Sequence, residues 1–400
     1  MKTACTLVVG CLLLAGGAQA SGFRLNGHSA RAEGMGVAVT ALTDEASSIY
    51  YNPAGISGHA GIDVSVGINL IVPSVTFASD VSVVSTTNVT RAATPFNAYL
   101  AVGLTDEVAV GFGVYTPFGA GNTWPAGWEG AGRALTSNVQ TFDFNPVVSW
   151  RIHPRVKVAA GLQFVRGTVA IERGLNFVDS QGTVSLGGDA WGVGWNGGFQ
   201  VELVEKSLWL GASWRSAVTM GFKGSAHFSN IPPAFQGLLV DQGIRSTITL
   251  PDVATVGLGY RATEALRFGL DLNVVTWSSF TDLTIAFDNP ALTNPLPKQW
   301  RDTVSYHAGV EYDLLEPAQV RLGFVYDPTG TPTATLTPDL PDFSRFVVTV
   351  GGGWRSDFGL SVDVAYQFIA LFTQRSAAPG FAGLYSGAAH VVGLNVGFKL

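Results

Sequence analysis

The amino-acid sequence predicts an all-β protein, a transmembrane antiparallel β-barrel of about fourteen strands with an N-terminal hatch in its lumen. Three observations lead there. The first is composition: Asp, Glu, Lys and Arg make up only 13% of the 400 residues, roughly half the share usual in soluble domains, and 49 are glycine where average usage gives about 28. Hydrophobic residues still reach 47%, yet beyond residue 20 no stretch approaches the roughly 18 uninterrupted apolar residues of a membrane-spanning helix. The second observation is how those apolar residues are dispersed. Ile62, Val64, Val66, Ile68, Leu70 and Val72 share one parity, and Asp63, Ser65, Gly67 and Asn69 the other, so one face suits lipid and the other a polar or close-packed interior. Similar stripes recur at Phe96/Ala98/Leu100/Val102/Leu104, Trp191/Val193/Trp195/Phe199/Val201/Leu203 and Val392/Leu394/Val396/Phe398/Leu400.

The third observation is the rhythm of the connections. Alternating segments fall near 60–72, 95–104, 107–117, 138–152, 155–172, 190–204, 207–222, 245–260, 265–287, 301–313, 318–327, 343–355, 359–372 and 386–400. Short turns at Thr105-Asp106, His153-Pro154, Glu205-Lys206, 261–264, 314–317 and 356–358 alternate with longer loops. An up-and-down barrel with both termini at one end requires that pattern, and outer-membrane barrels have short periplasmic turns and long extracellular loops. Trp150, Tyr260, Tyr312, Trp354 and Phe398 lie on the apolar parity beside the short turns, as an interfacial aromatic girdle would.

Residues 1–20 read as a signal peptide: Lys2 is the positive start, 3–14 an apolar run, and Ala18-Gln19-Ala20 a small-x-small cleavage site. Cys5 and Cys11 leave with it, which excludes a disulfide or thiol chemistry in the mature chain. A formal charge of −6 without a basic block excludes nucleic acid as a partner. Residues 21–59 lack the strand alternation. They are too few for a domain and, with Phe23, Leu25, Met35, Val37, Ile49, Tyr50 and Tyr51, too apolar for a disordered tail. Burial inside the barrel formed by residues 60–400 is the economical solution, and it makes this segment a plug.

Ser21-Gly22-Phe23-Arg24-Leu25-Asn26, Asn52-Pro53-Ala54, Gly113-Val114-Tyr115-Thr116-Pro117-Phe118-Gly119, Ile171-Glu172-Arg173, Trp300-Arg301-Asp302 and 340–345 together resemble the FadL-type outer-membrane transporters of Gram-negative bacteria. That family includes long-chain fatty acid channels and toluene/xylene-type aromatic hydrocarbon channels. The resemblance implies a non-enzymatic uptake channel without cofactor in the cell outer membrane. Extracellular loops would capture a hydrophobic small molecule, a hatch would gate a luminal pocket, and release would be lateral, through a kinked third strand. Long-chain fatty acids are the expected ligand class and aromatic hydrocarbons the alternative. The other expected partners are outer-membrane lipid, lipopolysaccharide and the barrel assembly machinery, with the channel a monomer. Leu400 departs from the terminal aromatic residue usual in these barrels.

Candidate ligand-binding residues follow. Phe118, Trp124 and Trp128 lie on or beside loop 117–137, where clustered solvent-facing aromatics would mark a capture surface; membership of the outer girdle is the competing reading. Arg301 shares the parity of Thr303, Ser305 and His307 and is expected inside, near a ligand carboxylate or paired with Glu33, Asp44, Glu45 or Glu311. Arg173 is a second cation, of uncertain facing because Arg166 disturbs the parity of its strand. By resemblance Phe23 sits near the hatch tip against ligand. Gly111 and Gly113 mark the gate or make room for the hatch, and Asn52-Pro53-Ala54 forms a turn tying the hatch to the first strand.

Other signals fail their structural conditions. Gly192-Val193-Gly194-Trp195-Asn196-Gly197 spells a dinucleotide fingerprint but lies within an alternating strand and opens no helix. The histidines lack metal-ligand spacing. A nonspecific porin would need a lumen rich in charge. An outer-membrane lipid hydrolase would have only Ser386 and His390 to offer.

Overall fold

The computed structural model describes residues 22–42, 44–58, 61–82 and 84–400, so the signal-peptide expectation for residues 1–20 falls outside the described residues. Fourteen antiparallel strands form one closed barrel. They are β1 (Gly61–Ser79), β2 (Phe96–Gly103), β3 (Val108–Tyr115, resuming at Gly119–Thr123), β4 (Thr136–His153), β5 (Val156–Asn176), β6 (Gln181–Val204) and β7 (Leu208–Arg215 and Val218–Ser229). The second half comprises β8 (Gln242–Leu250 and Val253–Arg261), β9 (Leu266–Val275), β10 (Thr303–Leu315), β11 (Ala318–Asp327), β12 (Arg345–Arg355), β13 (Leu360–Ala378) and β14 (Phe381–Lys399). β14 returns to β1 in continuous register from Asp63↔Lys399 to Ser79↔Gly383. Closure matters because an open sheet edge in lipid would leave backbone donors and acceptors without partners.

Parity decides facing. Val66 and Leu394 are exposed on the outer surface, while Asn69 and Asn395, of the opposite parity, are buried. Trp150, Tyr260, Tyr312, Trp354 and Phe398 all face outward near the short turns.

Two of the expected long loops are absent. β5 and β6 run on to a turn at 177–180, and β13 and β14 to a turn at 379–380, where the alternation indicates loops over 173–189 and 373–385. Beyond the lipid-facing band the outer face of β6 carries Gln181, Thr183, Ser185 and Gly187, while Val184 and Leu186 are buried on the inner face, so the ladder continues with no lipid stripe to announce it. Conversely, β9 stops at Val275 rather than 287. The segment 276–302 forms a folded loop with a two-stranded ribbon, Asp282–Leu283 against Leu296–Pro297, and 3-10 turns at Trp277–Ser279 and Pro290–Leu292. Pro290, Pro295 and Pro297 lack the N–H that a central strand must donate.

The described residues between 22 and 58 pack against the inward faces of the wall. They include α1 (Ala30–Gly34), α2 (Ser48–Tyr51) and a 3-10 turn at Pro53–Ile56. Helices this short have no independent stability and are held by contacts with the wall. Ala30 N donates to Asn395 Oδ1 at 2.8 Å, and Val39 N and Thr40 N both donate to Asp271 Oδ2 at 3.1 and 3.0 Å. Gly269, Gly309 and Gly323 are register partners on β9, β10 and β11, and a Cβ on any of them would overlap the backbone of residues 35–38. This close approach accounts for a row of inward glycines.

Candidate ligand site and the interrupted third strand

The ring of Phe23 lies in an aromatic cage. Its centroid is 5.0 Å from Trp277, 5.8 Å from Phe118, 5.9 Å from Phe280 and 6.1 Å from Trp300. Apolar wall residues including Val165, Met220, Phe222, Ile248 and Val275 extend the cluster. Gly22 precedes it at φ +58°, close enough to the Trp277 ring that a Cβ would overlap it. The indole N–H groups of Trp277 and Trp300 are buried without partners among the described residues. Beside this cage is a cleft of about 380 Å³ lined by Val169, Ile171, Leu186, Phe222, Ile248 and Leu283 among others.

β3 breaks next to the cage, at Thr116-Pro117-Phe118, where Pro117 cannot donate to a ladder. Pairing of β2 with β3 runs out at Asn97↔Tyr115, and Gly119–Thr123 is paired with β4. The N-terminal segment spans the break. Leu25 N donates to Pro117 O and Gly119 N donates to Phe23 O, both at 2.9 Å, and Arg24 bridges Phe118 in antiparallel sense. On the β4 side, Thr141 Oγ1 accepts from Phe118 N at 3.0 Å and donates to Phe118 O at 2.8 Å.

The cations differ from their sequence expectations. Arg166 is exposed on the outward parity of Leu162 and Phe164, so Arg173 falls on the inward parity, above Val165, Val169 and Ile171. Its Nε is buried and lacks a hydrogen-bond partner among the described residues. Arg301, by contrast, is exposed and outside β10. The parity count through Thr303, Ser305 and His307 stops at the strand's first residue: Gln299 has φ +48°, and Arg301 N instead donates to Gly330 O at 2.9 Å. Its suggested partners are also engaged elsewhere. Asp44, Glu45 and Glu311 contact Arg31, and Glu33 accepts from Asn69 at 2.7 Å.

The buried cation of this loop is Lys298, three residues before Arg301. Its ammonium donates to Asp339 Oδ2 at 2.8 Å and to Thr337 Oγ1 at 3.0 Å. Burial alone would raise the Asp339 carboxyl, but Lys298, with help from Thr337 and Arg173, holds it down at about 2.

Trp124 and Trp128 are not solvent-facing. They stack at 4.2 Å and pack with Phe77, Tyr385 and Phe381 in a buried cap cluster. Trp124 Nε1 donates to Pro338 O at 3.0 Å. Phe118, also buried, belongs to the cage. The exposed apolar tip is elsewhere, where Phe177 meets Phe235 at 5.1 Å and Leu238 and Val240 are exposed nearby.

Gly111 and Gly113 lie in the regular part of β3, under Ile49 and Ile56, rather than at the break. In Asn52-Pro53-Ala54, the Asn52 amide caps the 3-10 turn through Ala54 N and donates to Thr40 O at 2.8 Å and Phe199 O at 2.9 Å, so this turn is tied to β6, not to the first strand. His390 hydrogen-bonds Tyr366 on the neighbouring strand at 2.8 Å; it shares the outward parity of Ser386 but stands four residues along β14 from it, about 13 Å and out of hydrogen-bond reach. Trp277 and Phe280 escaped sequence reasoning because alternation mistakes 276–287 for strand, and Lys298 because it lies in the loop before 301, where parity gives no facing. The buried lumen also holds ion pairs that the scarcity of charge did not suggest, Arg215 with Asp143 and Arg321 with Glu311 and Asp363.

A closed barrel of this exterior, with both strand ends and short turns at one side, is an outer-membrane β-barrel. The chain belongs to the outer membrane protein transport protein family (OMPP1/FadL/TodX), whose description matches it over residues 11–399. It is 24% identical to the 47 kDa outer membrane protein of Pasteurella multocida, with 98% of each chain covered. It is also 24% identical to the long-chain fatty acid transport protein of Escherichia coli O6:H1, over 99% of this chain and 98% of the relative. Among solved structures, a Pseudomonas aeruginosa FadL homologue superimposes with TM-score 0.86 at 18% identity, covering 94% of this chain and 99% of the other. The Pseudomonas putida toluene transporter TodX gives 0.75 at 16% identity, with the same coverage.

Proposed function

We propose that this barrel takes up hydrophobic small molecules across the outer membrane, with long-chain fatty acids as the preferred class. The observation carrying this reading is Arg173: a half-buried guanidinium whose buried Nε has no partner among the described residues stands directly above an apolar stripe, Val165, Val169 and Ile171, that leads to the cleft and the Phe23 cage. A carboxylate would supply the missing acceptor, and an acyl chain would follow the stripe. The exposed Phe177/Phe235 tip serves as the capture surface. Residues 21–59 act as the hatch, and release is lateral, through the interruption of β3 once Phe23–Leu25 withdraws. The named fatty acid transport relative supports this reading.

An aromatic hydrocarbon is the second reading. It is favoured by the cage, which already accommodates one aromatic ring, and by the likeness to a toluene transporter. Mass-spectrometric identification of the apolar ligand copurified in mild detergent tests both: a fatty acid supports the first and a neutral aromatic the second. A competent preparation that carries neither, and binds neither oleate nor toluene, would sink the proposal.

A further inference from the structure

The periplasmic rim of the barrel is electrostatically lopsided. On the β10–β13 side the cations have carboxylate partners: Glu311 engages Arg31, Arg267 and Arg321, Asp313 engages Arg267, and Asp363 engages Arg321 and Arg355. The β4–β9 side is different. Arg151 and Lys157 are register partners on β4 and β5, and Arg261 and Arg267 are register partners on β8 and β9. All four line one cleft of about 890 Å³ beneath the N-terminal segment, where Asp44 and Glu202 are the acidic members of the lining. Like charges directly opposed across a ladder repel unless an anion lies between them.

Arg267 has its anions in Glu311 and Asp313, and the carboxylates of the cleft itself are engaged elsewhere, Asp44 by Arg31 and Glu202 by Lys206 N, which leaves Lys157 and Arg261. Among the described residues, Lys157 Nζ makes no ion pair or hydrogen bond, and Arg151 reaches Glu107 only at 4.0 Å. Arg261 rests over the Trp209 ring at 5.5 Å, its Nε buried and unpartnered. Leu42 and Trp209 add apolar surface to the same cleft.

We propose that this cleft is a periplasm-facing site for a small organic carboxylate, with the carboxylate at Lys157 and Arg261 and an apolar body against Leu42 and Trp209. The site is remote in the fold from Arg173 and Lys298 and does not rest on the identity of the transported substrate. A water-soluble ligand of this kind enters from the periplasm, without crossing the barrel.

The probe is 4-fluorobenzoate, titrated onto the full-length mature protein at constant detergent concentration and followed by ¹⁹F NMR, with neutral 4-fluorobenzyl alcohol as the control. We expect saturable binding of the anion, at least about tenfold tighter than the alcohol, as a charge-assisted contact would give. Lys157→Gln and Arg261→Gln should each weaken it by about tenfold, Lys157→Arg should retain it, and Arg173→Gln should leave it unchanged. Heat-modifiable gel migration establishes that each variant is folded. Because the two Gln variants lie on different strands, β5 and β8, either one that folds suffices. Equal binding of anion and alcohol overturns the proposal. So does wild-type affinity in a folded Gln variant, or loss of binding in Arg173→Gln alone, which would put the anion at the outer site.

Discussion

The Arg31 guanidinium grips the Glu311 carboxylate through two nitrogens, Nε at 3.0 Å from one oxygen and Nη2 at 3.2 Å from the other. This joins α1 to β10 across a buried interface. Glu311 is also held by Arg267 and Arg321, so its loss leaves three guanidiniums in mutual repulsion, whereas loss of Arg31 leaves Glu311 with two cations. Glu311→Gln is therefore expected to cost about 3–5 kcal/mol, as broken buried pairs do, and Arg31→Gln clearly less. Chemical denaturation in lipid vesicles measures both; equal losses would contradict the shared-carboxylate arrangement.

Facing predicts tolerance on the outer surface but not on the inner one. Val66→Arg should destabilise the barrel by about 2–4 kcal/mol near the bilayer midplane. Asn395, on the inward parity, is no tolerant control, because it accepts from Ala30 N and donates to Asn97 and Ser65. Asn395→Arg should therefore be at least as harmful, and Ser65→Arg milder than either. Folding yields into liposomes rank the three.

Arg173→Gln should weaken long-chain fatty acid binding by roughly tenfold and leave a neutral hydrocarbon of similar size unaffected, the difference being one charge-assisted hydrogen bond. Arg301→Gln should change neither affinity, since that side chain is exposed. Competition binding against a fluorescent fatty acid reads both. Equal loss for acid and hydrocarbon in Arg173→Gln would make Arg173 a structural residue.

Burial pushes the Glu33 carboxyl up from its ordinary value of 4.5 to about 7, against hydrogen bonds from Asn69 and Gln367 that pull it down. Between those two values the folded protein holds a proton that the unfolded chain has lost. Stability from this group therefore falls as pH rises from 4.5 to about 7 and stays low above it. Glu33→Gln should raise the unfolding temperature relative to the parent at pH 8, and the advantage should shrink by pH 5. A pH-independent difference would remove Glu33 from this role.

Much of the barrel is legible because lipid imposes one rule on every outward position. Ile62 to Val72 and Val392 to Leu400 reveal their facing without knowledge of any partner. That rule ends where the lipid ends. Between Gln181 and Gly188 the outer face carries Gln181, Thr183, Ser185 and Gly187, and the two inward apolar residues Val184 and Leu186 are too few to mark a strand, so the upper parts of β5 and β6 left no lipid stripe. Arg301 was misplaced for a related reason: parity propagates only along continuous strand, and the backbone reverses at Gln299. The inner polar residues are legible as polar but not as receptors. Nothing near Asp271 in sequence announces that Val39 N and Thr40 N will donate to it.

Phe23 has two attachments of different kinds. Its ring fills the cage, while its carbonyl accepts from Gly119 N across the break in β3. On the proposed route, a guest that moves Phe23 bodily out of the cage would also unzip the seam between the N-terminal segment and the wall. Filling the cage and parting the seam would then be thermodynamically linked, and reciprocity would require that whatever loosens the seam also raises the affinity of the cage for its guest. On that route one residue would make occupancy and opening a single equilibrium, without a relay of moving parts between them.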